Sequence, residues 1–77
     1  MNLQYVGLNE INGPLVVLDG VEGASYDEVV DIRLNDGSAR IGRVVEISGN
    51  KAVLQVFEGT NGLSLKNTRT RFMGRPM

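Results

Sequence analysis

The sequence contains no cysteine, no histidine and no tryptophan. Without cysteine the chain cannot form a disulfide, and without cysteine and histidine the common zinc sites are excluded. The usual general base and the activated thiol are missing as well, so catalysis here would need a paired and perturbed carboxylate site. The phosphate-binding pattern G-x-x-x-x-G-K-[ST] is also absent. The chain therefore carries no visible catalytic apparatus.

Long apolar runs are lacking too. No segment approaches the roughly 18 apolar residues of a membrane-spanning helix, and the first residues do not follow the pattern of a signal peptide. We therefore expect a cytoplasmic protein with no direct membrane insertion. A chain of 77 residues predicts one small domain, and such a domain buries only about 60% of its unfolded surface. Small domains without covalent cross-links often depend on neighbours, which favours a place in a larger assembly.

The formal net charge of -1 disfavours a nucleic-acid or anionic-membrane binder. The charges are unevenly distributed along the chain. Residues 1–38 carry seven acids and one base, a balance of -6, whereas residues 39–77 carry seven bases and two acids, a balance of +5. One interpretation is that strands of both halves mix in one sheet and neutralise each other. The other is that opposite flanks differ in sign and favour head-to-tail packing against a similar neighbour.

Glycines and β-branched residues are arranged as in an all-β domain of short strands. The predicted strands are Gln4 to Leu8, Leu15 to Asp19, Glu28 to Leu34, Ala39 to Ile47, Lys51 to Phe57 and Thr68 to Phe72. Six such strands predict a small six-stranded antiparallel β-barrel. Asp36-Gly37 predicts a hairpin with a type I′ turn, and Ser48-Gly49-Asn50 predicts the next reversal. Residues 28–57 are therefore expected to form a three-stranded meander.

The fifth predicted strand carries apolar residues on both faces, because Ala52, Leu54 and Val56 oppose Val53 and Phe57, and so does the fourth predicted strand. Strict alternation places Ile41, Val45 and Ile47 on one face and Val44 on the other. Either the exterior is covered by another protein, or the outer apolar residues are ordinary surface hydrophobicity. Gly42, inside this strand, indicates a bulge or a barrel corner with little room for a side chain.

Two groups of charged residues are candidates for a functional site. Asp27, Glu28 and Asp31 are the densest carboxylates, and a solvated loop with the start of a strand explains them. The basic tail combines four cations with an aromatic ring and fits either a nucleic-acid patch or an edge strand protected by charge. Its residues are Lys66, Arg69, Arg71, Phe72 and Arg75. A free-standing small-barrel nucleic-acid binder is therefore the alternative function.

Three segments carry a family resemblance. They are residues 7–17, with Gly13-Pro14, residues 52–63, with Val56-Phe57-Glu58-Gly59-Thr60 and Gly62-Leu63, and the ending Arg71-Phe72-Met73-Gly74-Arg75-Pro76-Met77. The chain resembles the amino-terminal β-barrel of rotary-ATPase head subunits, most of all the non-catalytic B subunits of V-type and archaeal-type enzymes. The catalytic A subunits carry a similar barrel. The Arg-Phe-x-Gly-Arg-Pro ending favours B.

This resemblance implies a function. In the family, barrels of alternating A and B subunits form a collar ring at the end of the head distant from the membrane, in a peripheral part of a membrane-bound complex. All 77 residues would be barrel, as a fragment of a longer subunit, with Gly74-Arg75-Pro76 leading into the next domain. ATP or ADP and Mg²⁺, together with the catalytic residues, would belong to domains outside this chain, so the fragment is expected to bind no cofactor or metal and to be no enzyme by itself. The A subunits would be its partners.

The resemblance and the two-faced strand together predict a subunit interface at the end of the fifth predicted strand. The predicted interface residues are Val53, Phe57, Glu58, Gly59, Thr60 and Leu63. The alternative for this loop is a structural turn, which explains Gly59 and Gly62, with Leu63 and Leu65 tucked onto the barrel.

Overall fold

The computed structural model describes residues 4–77, and these form one curved antiparallel sheet. The strands are β1 (Gln4–Val6), β2 (Glu10–Asn12), β3 (Leu15–Leu18), β4 (Glu28–Arg33), β5 (Ala39–Ser48), β6 (Lys51–Val56) and β7 (Arg69–Pro76). Their order across the sheet is β1-β7-β4-β5-β6-β3-β2. The prediction of an all-β antiparallel barrel is confirmed, with seven strands in place of six.

The additional strand is β2. It pairs with β3 through the register Asn12↔Leu15 and Glu10↔Val17, so that Gly13-Pro14 forms the two-residue turn between them. Gly13 has a φ of 60°, which only glycine adopts freely at the first position of such a turn. Gly13-Pro14 thus closes a hairpin and directly precedes the start of β3 at Leu15.

The predicted meander of β4, β5 and β6 is confirmed by the antiparallel pairing of these strands. The turn between β4 and β5 differs from the predicted type I′ because Gly37 alone has positive φ, at 89°. The Gly37 N–H donates to the Leu34 carbonyl and the Leu34 N–H to the Ser38 carbonyl. This pattern is that of a longer loop in which a type I turn is followed by one left-handed residue.

A β-bulge in β5 reverses the side-chain alternation. The register shifts between Val44 and Glu46, so that Val44 faces Leu54 and Ile47 faces Ala52. Val44 is fully buried, and Ile47 also packs against the core. The prediction that Ile47 shares a face with Ile41 is therefore wrong, because the extra residue at the bulge turns the rest of the strand over.

Gly42 lies in regular pairing with Val30 and Val56, away from that bulge. A Cβ atom at this position would lie 2.6 Å from the backbone oxygen of Gln55. The expected lack of space for a side chain is confirmed, and the cause is the close approach of the β6 backbone.

The core fills the concave side of the sheet. Alternate residues of β3, β4 and β6 point inwards, as the period of two in a strand requires. The buried apolar residues are Leu8, Val16, Leu18, Val21, Val30, Ile32, Val44, Ala52, Leu54, Val56 and Phe72. Phe72 also meets the ring of Tyr5 edge-on, with the ring centroids 5.6 Å apart, which joins β1 to the core.

The last strand is longer than predicted and contains a second irregularity. Pairing of β4 with β7 shifts from Val30↔Phe72 to Glu28↔Pro76, and Gly74 adopts a φ of 77° within the bulge. Residues 74–76, which the resemblance implies lead into a next domain, belong to β7. Glu28 was expected to be solvated, and it is only 5% exposed because its carboxylate binds the irregular part of β7.

Candidate subunit-interface surface

The loop that follows β6 presents the most exposed of the predicted interface residues. Phe57 leaves the strand with 47% of its side chain exposed, and its N–H donates to the Ile41 carbonyl at 3.1 Å. The chain then turns, since the Gly59 N–H donates to the Val56 carbonyl at 3.1 Å and Gly59 has a φ of 85°. The turn leaves Glu58 exposed at its tip.

The rest of this loop is fixed to the barrel by hydrogen bonds. The Thr60 hydroxyl donates to the Gly13 carbonyl at 2.7 Å, which attaches the loop to the β2–β3 turn. Arg40 Nη2 donates to the Asn61 carbonyl at 3.1 Å, which attaches it to β5. The Leu63 N–H donates to the Thr60 carbonyl at 3.1 Å. The loop is held on two sides, so Phe57 and Glu58 project from a fixed support.

Val53 and Leu63 occupy different positions from Phe57. Val53 lies on the outer face of β6, half-buried between its partners Val17 on β3 and Glu46 on β5. Leu63 turns inwards and packs against the core. Of the predicted interface residues, Phe57 and Glu58 are thus exposed, Val53 is half-buried on the outer face, and Leu63 faces inwards. Leu65, which the structural-turn alternative placed against the barrel, is 53% exposed.

Ile41 belongs to the same surface, and the sequence reasoning did not select it. Its side chain is 45% exposed and follows the outer face of β5 next to the start of the Phe57 loop. The signal was present in the alternation of β5, which places Ile41 outside. Only the pairing of β5 with β6 brings it to Phe57. We call Ile41 and Phe57 the exposed apolar pair.

The carboxylates considered as a catalytic group do not converge. Asp27 lies in the left-handed region, with a φ of 64°, and forms a 3.2 Å ion pair with Arg43 at the surface. Asp31 lies on the outer face and accepts a hydrogen bond from Arg33 Nε at 3.1 Å. Glu28 points the other way, into the domain. Within residues 4–77 the structure forms no cluster of three acidic side chains that could hold a metal ion.

Asp36 lies in the β4–β5 turn, and its pKa is held below the ordinary aspartate value. The main cause is a hydrogen bond from the Ser38 hydroxyl at 2.6 Å, followed by one from the Ser38 N–H at 2.9 Å. Both favour the ionised carboxylate. Because this carboxylate stabilises a turn and is fully exposed, its shifted pKa reflects local structure.

The part of the chain described by the structure includes no helix of the length and apolarity needed to cross a membrane.

Comparison with known proteins identifies the family. The model of the ATP synthase alpha/beta family, beta-barrel domain, matches residues 8–74. The chain is 53% identical over 75 residues to the B subunit of an A-type ATP synthase from Cenarchaeum symbiosum. It is 51% identical over 77 residues to a V-type ATP synthase beta chain 2 from Clostridium tetani, and 49% identical over 74 residues to a V-type ATP synthase beta chain from Thermotoga neapolitana.

The chain belongs to the beta-barrel domain family of the ATP synthase alpha and beta subunits. The alignments cover 97%, 100% and 96% of the chain, respectively. They cover only 16%, 17% and 16% of the respective relatives. The resemblance to B subunits of the V-type and archaeal type is thus confirmed. The matched region corresponds to about one sixth of those proteins.

Proposed function

We propose that this chain is the barrel domain of a longer, non-catalytic B subunit, and that it forms part of the collar ring in an alternating A/B hexamer of a rotary ATPase. The complex would couple ATP synthesis or hydrolysis to transport of protons or sodium ions. The barrel would take part as a structural element, in a cytoplasmic, peripheral position. Nucleotide, Mg²⁺ and the catalytic residues would be held by other domains and by the A subunits.

The observation that carries this proposal is that the exposed apolar pair lies on a fixed support. The domain that presents it has 53% and 51% sequence identity to two B subunits. An interface of this kind needs a rigid apolar contact surrounded by polar groups. Ile41 and Phe57 supply the contact. Glu58 supplies a charge at its margin, and the bonds of Thr60 hold the loop in place.

The proposal makes the chain one segment of a larger gene product. The simplest test is therefore to read the coding sequence beyond Met77. We expect an open reading frame that continues into a nucleotide-binding domain. A stop codon directly after Met77 would contradict the proposal.

The second test examines the interface in the full-length protein. Phe57→Glu places a charge in the proposed contact, where it would be desolvated without a partner. We expect assembly with the A subunit to weaken by about tenfold or more, as native mass spectrometry or size-exclusion chromatography would measure. The far-UV circular dichroism spectrum should be unchanged, because the side chain is already half exposed.

Val6→Glu is the matched control. Val6 is 69% exposed on β1, and the strands β7, β4 and β5 separate β1 from β6 in the strand order. This variant should assemble like the wild type. Full assembly of the Phe57→Glu variant, or global unfolding of its barrel, would contradict the assignment of this loop to the interface.

A further inference from the structure

A basic groove of about 420 Å³ lies on the outer face of β4 and β7, beside β1. Arg33, Arg69 and Arg71 line it, together with one carboxylate, that of Asp31. The three guanidinium groups and the single carboxylate give these lining residues a net charge of +2. None of these residues belongs to the interface predicted around Phe57. We call this feature the arginine groove.

The strand register concentrates these cations. Arg33 stands directly opposite Arg69 in the antiparallel pairing of β4 with β7, and Asp31 stands opposite Arg71. Like charges directly opposite each other on neighbouring strands are destabilising. Asp31 already accepts a hydrogen bond from Arg33 Nε at 3.1 Å, so it cannot neutralise all three arginines. The groove is therefore a place where an added anion would relieve repulsion.

The surroundings of the groove favour a peptide carboxylate over a nucleic-acid backbone. The planar guanidinium group binds carboxylates and phosphates alike through two parallel hydrogen bonds, so the choice between them depends on the other lining residues. Gln4 and Asn35 also line the groove, and their amides can hydrogen-bond a peptide main chain. Asp31 lies within the groove, and exposed Asp36 lies in the adjoining turn. A phosphodiester chain is charged at every unit and would meet both of these carboxylates, whereas a peptide can place uncharged residues opposite them.

We propose that the arginine groove is a docking site for an acidic, extended segment of a partner protein. Two carboxylates of that segment would neutralise the excess charge of the groove. The surface is independent of the exposed apolar pair, and the groove can bind such a segment whether or not the barrel belongs to a collar ring. The proposal goes beyond the proposed function because it adds a second interaction surface.

The test uses a short fluorescent peptide of alternating glutamate and serine, titrated with the 77-residue chain at low salt. We expect saturable binding, with backbone amide shifts in the NMR spectrum concentrated at Arg33, Arg69 and Arg71. The double variant Arg69→Gln, Arg71→Gln should bind about tenfold or more weakly, since it removes two charge-assisted contacts. A peptide with glutamine in place of glutamate should not bind.

Arg75→Gln is the matched control, because Arg75 is exposed but lines a different cavity. It removes one positive charge without changing the groove, so peptide affinity should stay within about twofold of the wild type. Equal weakening by both sets of variants, or no peptide binding by a folded chain, would overturn the proposal. Tighter binding of a single-stranded oligonucleotide of the same charge would also overturn it, in favour of a nucleic-acid site.

Discussion

Glu28 offers the most demanding test of how this barrel is held together. Its carboxylate lies at the start of β4 and is 5% exposed. Oε1 accepts a hydrogen bond from the Ser25 N–H at 2.9 Å, and Oε2 accepts one from the Gly74 N–H at 2.7 Å. The second bond gives the Gly74 N–H a partner within the bulge of β7, where the regular pairing is interrupted. We predict that Glu28→Ala strongly destabilises the domain.

The magnitude follows from the two backbone donors that Glu28→Ala would leave unpaired. An unsatisfied N–H costs about 1–3 kcal/mol when it is buried, and the lower end of that range applies here because Ser25 and Gly74 are exposed residues whose bonds to Glu28 are only partly buried. Removing a buried carboxylate also relieves its desolvation penalty, which offsets part of this cost. We therefore expect the free energy of unfolding to fall by about 2 kcal/mol. For a domain of this size each kcal/mol corresponds to about 4–8 °C, so Tm should fall by about 8–16 °C.

Urea unfolding followed by far-UV circular dichroism measures this change. Glu28→Gln keeps one acceptor oxygen but turns an amide donor towards a backbone donor, so this variant should be more stable than Glu28→Ala but less stable than the wild type. The matched control is Glu10→Ala, at an exposed position of β2, which should change stability by less than about 0.5 kcal/mol. A Glu28→Gln variant as stable as the wild type would refute the reasoning, even if Glu28→Ala failed to fold.

Two further predictions concern β5 and the turn before it. Gly42→Ala places a Cβ atom 2.6 Å from the Gln55 carbonyl oxygen, so β5 and β6 must separate. We expect urea unfolding to show that the free energy of unfolding falls by about 2 kcal/mol. An unchanged free energy would mean that the two strands move apart at no cost, which would contradict this reasoning. Ser38→Ala removes the main cause of the lowered pKa of Asp36, so NMR titration should show that pKa rising. A carboxylate whose pKa is lower in the folded state stabilises the domain at pH values above its unfolded-state pKa. This contribution is lost as the pH falls through the folded-state pKa. Stability of the Ser38→Ala variant should therefore depend less on pH on the acid side, and an unmoved Asp36 pKa would contradict the assignment.

Much of the fold could be predicted because its determinants are local. The alternation of Ala52, Leu54 and Val56 defines the buried face of β6, and turn residues mark the hairpins on either side of β5. The short strand β2 was missed because Glu10-Ile11-Asn12 has a weak strand pattern. The bulge in β5 was missed because adjacent Val44 and Val45 are both apolar, which fits either phase of the alternation.

The candidate site was only partly predictable for a related reason. The exposure of Phe57 follows from its place in the alternation of β6. The position of Ile41 beside Phe57 depends on the pairing of β5 with β6, which no short segment of the sequence predicts. The burial of Glu28 depends on Gly74, which lies 46 positions further along the chain. Contacts between segments that are distant in sequence leave no signal in a short stretch of residues, so they could not be predicted.

The irregular pairing at the end of β7 has a mechanical consequence. The Met77 N–H donates to the Asp27 carbonyl at 2.7 Å, and Gly74 is bonded to Glu28, whereas the regular pairing with β4 ends at Val30↔Phe72. A pull on the end of the chain would thus load these two bonds before it reached the buried ladder. The bulge divides β7 into an outer part that can detach and an inner part that stays paired with β1 and β4, so tension at Met77 need not open the core.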